Sequence, residues 1–227
     1  MSKELRVGVL FTGIVQLLDL AAVDIFGMTT PEYLTICGLP KETVNLARPL
    51  KLYYIGCPSA TTLQTNNPSN VVQVTSTAGV CLTHTIDDKD VSPGNLDILV
   101  IPGPEPTTIP DEKTQEFVRA HNENKTTFLV ICSGAFVTAR SGIYGGRHVT
   151  GPRAFLPVLK KEFPTATWDD SVRVVQDGHL WTAGGITNGM DLVAAYLKAT
   201  FPPSVAEIVC SMAEVGDRPL KYAASVN

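Results

Sequence analysis

Of the five cysteines in the chain, one sits where a nucleophile would be placed. In Phe128-Leu-Val-Ile-Cys-Ser-Gly-Ala135 an apolar run reads as a buried strand, and the small residues after it open a helix. Cys132 falls in the turn between them. A side chain at such a turn is held away from the backbone, and its sulfur faces the positive end of the following helix. Both features favour thiolate and predict a lowered pKa for Cys132. Ser133 and Gly134 leave room for a substrate to approach the helix N-terminus, where free N–H groups bind developing negative charge. Pro102-Gly103, at the end of another strand, offers a second donor.

Asp19 is the second candidate. It lies inside Gln16-Leu-Leu-Asp-Leu-Ala-Ala22, where burial would raise its pKa toward the range useful for acid/base work. Its competing role is a helix cap. Asp24 is off the same helix face and reads as structural or solvated. A free cysteine is most often a small buried hydrophobe, so position alone leaves Cys132 evenly divided between nucleophile and core. Cys37, Cys57, Cys81 and Cys210 lack the turn and go to the core reading. His84, His121, His148 and His179 follow no buried strand, and lone polar residues of this kind are usually exposed. Gly184-Gly-Ile-Thr-Asn-Gly189 lacks the spacing and lysine of a phosphate loop, and its glycines read as allowing a helix to approach a sheet.

These residues need a scaffold, and the order of elements supplies one. Leu5 to Phe11 reads as a strand and Leu17 to Phe26 as a helix. Lys51 to Gly56 and Asp97 to Gly103 read as further sheet strands. Val71 to Thr77 and Gly79 to Ile86 read as a hairpin or antiparallel edge pair outside the strand–helix rhythm. Asp111 to Asn122 is an amphipathic helix, Thr127 to Ile131 a buried strand and Ser133 to Ser141 a helix. A helix near Ala154 to Phe163 precedes a hairpin, Val172 to Gln176 and His179 to Ala183 around Asp177-Gly178. Ile186 to Ala199 and Ser204 to Met212 close the chain as helices. Strands alternating with helices predict an α/β three-layer sandwich, a mostly parallel sheet with helices on both faces, as one domain over residues 1–227. In such sheets ligands bind beyond the carboxyl ends of strands, which selects Thr12 to Asp19, Gly103 to Thr107 and Cys132-Ser133. Two segments, Met28 to Leu50 and Cys57 to Asn70, read as long loops that are either idle surface or a wall over a site.

Composition narrows the classes. The chain has 227 residues, 44% of them hydrophobic, and a formal net charge of −4 with 18 scattered Lys and Arg. No basic patch marks a nucleic-acid or anionic-membrane surface. No apolar stretch reaches the ~20 residues that cross a bilayer, and no signal peptide is visible. A soluble, cytoplasmic protein is expected. Five widely spaced cysteines without CxxC pairing disfavour a disulfide framework and a zinc site.

The segments Gln16-Leu-Leu-Asp-Leu20, Leu96-Asp-Ile-Leu-Val-Ile-Pro-Gly103, Val130-Ile-Cys-Ser-Gly134, Val174-Val-Gln-Asp-Gly178 and Thr182-Ala-Gly-Gly-Ile-Thr187 together resemble the ThiJ/PfpI (DJ-one) superfamily, whose fold is similar to class I glutamine amidotransferases. Within it, Asp19, Cys132 and Ser133 match the isocyanide hydratase branch position by position. The resemblance implies a catalytic trio of Cys132, Asp19 and Ser133, with Gly103, Pro104 and Gly134 lining the substrate and oxyanion pocket. It implies no cofactor and no metal, a small-molecule substrate and a homodimer. The implied reaction adds water to a small carbon–nitrogen electrophile, giving an N-substituted formamide. Glyoxalase or deglycase chemistry on reactive dicarbonyls, and a non-catalytic redox sensor, are the alternatives the superfamily also hosts. Two departures bear on them. Gly151 stands where many relatives carry a histidine, which removes the imidazole base. Pro104 follows Gly103 where relatives often have a second glycine, and proline has no N–H to donate.

Overall fold

A computed structural model of the chain describes residues 3–58 and 70–223. Its first strand, β1 (Leu5–Phe11), runs into helix α1 (Leu17–Met28). The side chains of Val7, Val9, Leu10 and Phe11 are buried. An apolar run without alternation is what a strand covered on both faces requires. After α1 come two short helices, α2 (Pro31–Ile36) and α3 (Lys41–Val44), then β2 (Leu50–Gly56). The segment from Met28 to Leu50 is therefore not one long loop. Thr30 caps α2 by accepting a hydrogen bond from the Tyr33 N–H, with Pro31 in the first turn, the arrangement that starts a helix even when it lasts under two turns. Of the second expected loop, residues 59–69 lie outside the described residues.

Strands β3 (Val71–Gln73) and β4 (Gly79–Cys81) form the expected antiparallel pair. The hairpin reading extended to Ile86, and there the structure differs. β5 (His84–Thr85) leaves the hairpin and joins the main sheet parallel to β2. Thr83 N–H donates to Tyr54 O at 2.8 Å and Ile86 N–H to Gly56 O at 3.3 Å, so this short piece satisfies backbone groups that β2 would otherwise leave at an open edge.

The remaining elements are β6 (Ile98–Ile101), α4 (Glu112–Glu123), β7 (Thr127–Val130), α5 (Gly134–Arg140), β8 (His148–Val149), α6 (Leu156–Glu162), β9 (Thr167–Trp168), β10 (Val174–Asp177), β11 (Leu180–Ala183), α7 (Asn188–Thr200) and α8 (Pro203–Met212). Asp111 caps α4, its carboxylate accepting from Thr114 N–H at 2.9 Å. Gly178 takes the left-handed φ of 61° that the turn between β10 and β11 demands.

The main sheet has the order β10-β11-β7-β6-β1-β2-β5. Every neighbouring pair is parallel except β10 with β11. Helices α1, α7 and α8 pack together, with Phe26 edge-on to Tyr196 at 6.1 Å, while α4 packs on α5. This is the expected mostly parallel three-layer α/β architecture. The order also fixes where a site can form. Connections from β1 go one way to β2, whereas β6, β7 and β11 lie on the other side, so the switch in strand order falls between β1 and β6. The carboxyl ends of four adjacent strands, β11, β7, β6 and β1, consequently deliver Gly184, Cys132, Gly103 and Thr12 to one region.

Candidate active site

Cys132 follows β7 and adopts φ 55°. Positive φ is unusual for a residue with a Cβ and costs roughly 1–3 kcal/mol, which neighbouring structure must hold in place. The chain holds it at both sides: Cys132 N–H donates to Gly184 O at 3.2 Å, and Ile131 N–H to Ile101 O at 3.0 Å. The next turn belongs to α5, which approaches β6 so closely that a Cβ on Gly134 would collide with the Ile101 carbonyl oxygen. The Cys132 side chain is nearly sealed from water, 9% exposed.

Asp19 enters from the first turn of α1 and is fully buried. One carboxylate oxygen, Oδ2, accepts from Gly103 N–H at 2.8 Å. The other, Oδ1, is buried without a hydrogen-bond partner among the described residues. Asp19 does not cap its helix; Gln16 occupies that position. Burial pushes the Asp19 carboxyl from 3.8 up to about 6, opposed only by the Gly103 N–H. Thr12, just after β1, likewise buries a hydroxyl with no partner among the described residues.

The sulfur does not behave as the turn alone predicts. Burial raises the Cys132 pKa above the ordinary thiol value, and the negative charge of Asp19 raises it further. The backbone N–H groups of Ile186 and Ser133 and the Ser133 hydroxyl work in the opposite direction and are outweighed. A one-turn dipole argument considers only the helix. In the folded chain the lost water and the adjacent carboxylate are larger effects. Both effects favour the thiol form of Cys132 beside Asp19.

The residues expected to bind an oxyanion have other tasks. Gly103 N–H is committed to Asp19, and Gly134 N–H donates to Ile131 O at 2.9 Å. Pro104 has no N–H and instead accepts, through its carbonyl, a short hydrogen bond from the Ser133 hydroxyl. Gly103, Pro104 and Gly134 thus build the wall rather than donate to it. A Cβ on Gly103 would lie 2.5 Å from Ser133 Oγ and 2.9 Å from Asp19 Oδ2, which shows how tightly the three strand ends converge. The donor that sequence reasoning missed is Ile186, in the loop between β11 and α7. Its sequence signal was present in Gly184-Gly185-Ile186, a glycine pair after a strand. Gly189 does play the packing part expected of this loop, since a Cβ there would lie 2.8 Å from Ile131 Cγ2.

The groups that shift Cys132 are its buried surroundings, Asp19, Ile186 and Ser133, none of them a histidine. His121 is not exposed, as lone histidines usually are. It is fully buried, with Nδ1 3.0 Å from Thr126 Oγ1 and Nε2 3.0 Å from Val91 O. Burial lowers its pKa to about 4, so it is a neutral structural link. His148 is exposed and lies 3.2 Å from Asp169 Oδ2, and His179 meets Asn122 Oδ1 at 2.8 Å. At Gly151 a Cβ would already stand 3.0 Å from Leu159 Cδ1 and 3.4 Å from Ala135 Cβ, so a side chain there would need the Leu159 side chain to shift. Asp24 is exposed, Cys37 and Cys81 are exposed, and Cys57 and Cys210 are buried. Among the described residues no helix is long and apolar enough to cross a membrane.

Comparison with known proteins bears on the family and the fold. An isonitrile hydratase from Pseudomonas putida is 29% identical over 154 residues, which is 66% of this chain and 64% of that protein. The match therefore spans less than two thirds of the relative's length. The structure of Drosophila melanogaster DJ-1beta superposes with a TM-score of 0.68 at 16% identity, covering 95% of this chain and 99% of the other. A ThiJ/PfpI family protein from Pseudomonas syringae gives 0.67 at 18% identity, covering 95% and 77%. At these identities the two structures speak for the fold. Residues 55–199 match the model of the DJ-1/PfpI family, and the chain belongs to that family.

Proposed function

We propose that the chain is a hydratase for small isocyanides, with Cys132 as nucleophile and Asp19 as the proton carrier. The observation that carries this reading is the asymmetry of the Asp19 carboxylate. One oxygen is fixed by the Gly103 N–H while the other is buried and unpartnered next to a protonated thiol. A base poised at about 6 beside a thiol is suited to taking one proton and returning it.

The chemistry needs no other ionisable group. The Cys132 S–H proton passes to Asp19 as sulfur bonds the terminal carbon of R–N≡C. Asp19 returns the proton to that carbon, leaving the thioimidate R–N=CH–S. Water then adds across the carbon–nitrogen double bond, its oxygen to carbon and its protons ending on nitrogen and on sulfur as the C–S bond breaks. The products are R–NH–CHO and the regenerated thiol. The N–H groups of Ser133 and Ile186 stabilise the sulfur while it carries charge. Isocyanides are uncharged and compact, which suits a thiol sealed among apolar strand ends.

The likeness to isonitrile hydratase supports the same reading. Dicarbonyl chemistry would be helped by a nitrogen base, and Gly151 supplies none. A redox sensor is favoured by a low-pKa thiol, whereas burial and the charge of Asp19 push the Cys132 thiol up. Family likeness also implies a homodimer, which a sedimentation measurement would check. The test of function is direct: the chain is mixed with an alkyl isocyanide or with methylglyoxal, and products are followed by proton NMR. N-alkyl formamide from the first and no turnover of the second are expected. Full turnover by Cys132→Ala would refute the reading.

A further inference from the structure

Ile186 is β-branched yet holds φ 45°, a conformation its side chain opposes. Something must hold it. On its amino side, Gly184 N–H donates to Arg173 O at 2.9 Å, while Gly184 O accepts from Cys132 N–H. On its carboxyl side the backbone closes the first turn of α7, Asn188 N–H donating to Gly185 O at 3.1 Å and Gly189 N–H to Ile186 O at 3.0 Å, and among the described residues the side-chain anchors come from the segment Arg218–Tyr222 and its support. Arg218 Nη2 donates to Thr187 O at 3.1 Å and to Thr187 Oγ1 at 3.2 Å, and the same guanidinium pairs with the buried carboxylate of Asp191. Asn188 Nδ2 donates to the Tyr222 hydroxyl at 3.0 Å, and Asn188 Oδ1 accepts from Arg173 Nη1 at 3.1 Å.

The segment is itself tied down. Tyr222 N–H donates to Ser171 O at 2.9 Å, Arg173 N–H to Leu220 O at 2.7 Å, and Val172 bridges Lys221 in antiparallel fashion. Two guanidinium groups lie over the Tyr222 ring, Arg153 at 4.6 Å and Arg173 at 4.5 Å from its centroid, and each contact is attractive. There is no slack where the pieces meet, since a Cβ on Gly184 would stand 2.6 Å from Asn188 Nδ2 and 2.7 Å from the Tyr222 hydroxyl.

We propose that Arg218–Tyr222 is a strap over the loop between β11 and α7, and that Tyr222 and Arg218 are positioning residues holding that loop, and with it the Ile186 N–H, against Cys132. The strap acts through the loop and touches no reacting atom. It sets how readily the thiol ionises. This proposal rests on Cys132 being the reactive group, and not on which electrophile it attacks.

The experiment reads ionisation rather than turnover. Cys132 is alkylated with iodoacetamide in the full chain across a pH series, and the modified peptide is quantified by mass spectrometry to separate it from the exposed Cys37 and Cys81. Tyr222→Phe and Arg218→Ala should each move the alkylation midpoint upward, slowing alkylation at a fixed pH below it by about three- to tenfold. Arg218→Lys keeps a donor for Thr187 and should move it less. If Arg218→Ala fails to fold, Tyr222→Phe, which removes one oxygen, decides alone. A wild-type midpoint in Tyr222→Phe would overturn the proposal, whether or not its melting temperature falls. Loss of isocyanide turnover in the wild-type chain would refute the hydratase reading and leave this result standing.

Discussion

The sulfur of Cys132 has two unlike neighbours. On the side of β1 and β6 stands the Asp19 carboxylate, fixed by Gly103. On the side of β11 stands a loop that presents only backbone N–H groups. The carboxylate holds the proton on sulfur and the amides favour its departure. The first neighbour is charged, buried and set by its own helix. The second is neutral and set by residues more than thirty positions away in the chain. A reactive thiol of this type is therefore not made reactive by one feature. Its proton is balanced between a charge that can accept it and dipoles that stabilise what remains.

The most severe way to break the comparison is to remove its centre. Cys132→Ala should lower isocyanide turnover by about 10³-fold or more, the scale on which loss of a nucleophile is felt, as read by formamide production. Next comes the carboxylate flank. Asp19→Asn should lower turnover by about 10²–10⁴-fold and at the same time stabilise the fold. The sign follows from the raised pKa. With Asp19 at about 6 in the folded chain against 3.8 ordinarily, its favourable contribution is complete below 3.8 and is lost as pH rises through 6. At pH 7 the buried carboxylate costs about 3 kcal/mol. Urea denaturation should show Asp19→Asn more stable than the parent at pH 7, with the gap closing at pH 4.

His121 lies on neither flank and sharpens the contrast as a second buried titratable group. Its pKa falls from 6.5 to about 4 on folding, so its contribution is present above 6.5 and is lost as pH falls toward 4, about 3 kcal/mol in all. His121→Gln should flatten that acid limb while leaving Cys132 alkylation unchanged, measured by denaturation at pH 4 and pH 7. The smallest effect belongs to Ile186→Gly. Glycine relieves the strained φ but frees the loop, so stability should change by about 1 kcal/mol or less and alkylation at fixed pH should slow about two- to threefold.

Much of one flank is legible in the sequence. The strand and helix around Cys132, the apolar setting of Asp19, the cap at Asp111 and the turn at Gly178 all follow from short-range patterns, because the residues that decide them are neighbours in the chain. The other flank is not. A backbone N–H carries no residue identity, so nothing in Ile186 marks it as a donor. Its conformation depends on Tyr222 and Arg218, which belong to no periodic element. The sign of the Cys132 shift was missed for the same reason, since burial and the charge of Asp19 arise only when four strand ends meet. Helices as short as Lys41–Val44 leave too few residues for a period to show. The burial of His121, by contrast, could have been read. Thr114, Phe117, Val118 and His121 form the buried stripe of α4 at helical spacing, and the imidazole completes it.

The direct test of the paired thiol and carboxylate is the pH dependence of Cys132 alkylation in Asp19→Asn beside the parent chain. With the carboxylate gone and the amides in place, the midpoint should move down, toward easier ionisation. A midpoint that stays where it is, or moves up, would contradict the account.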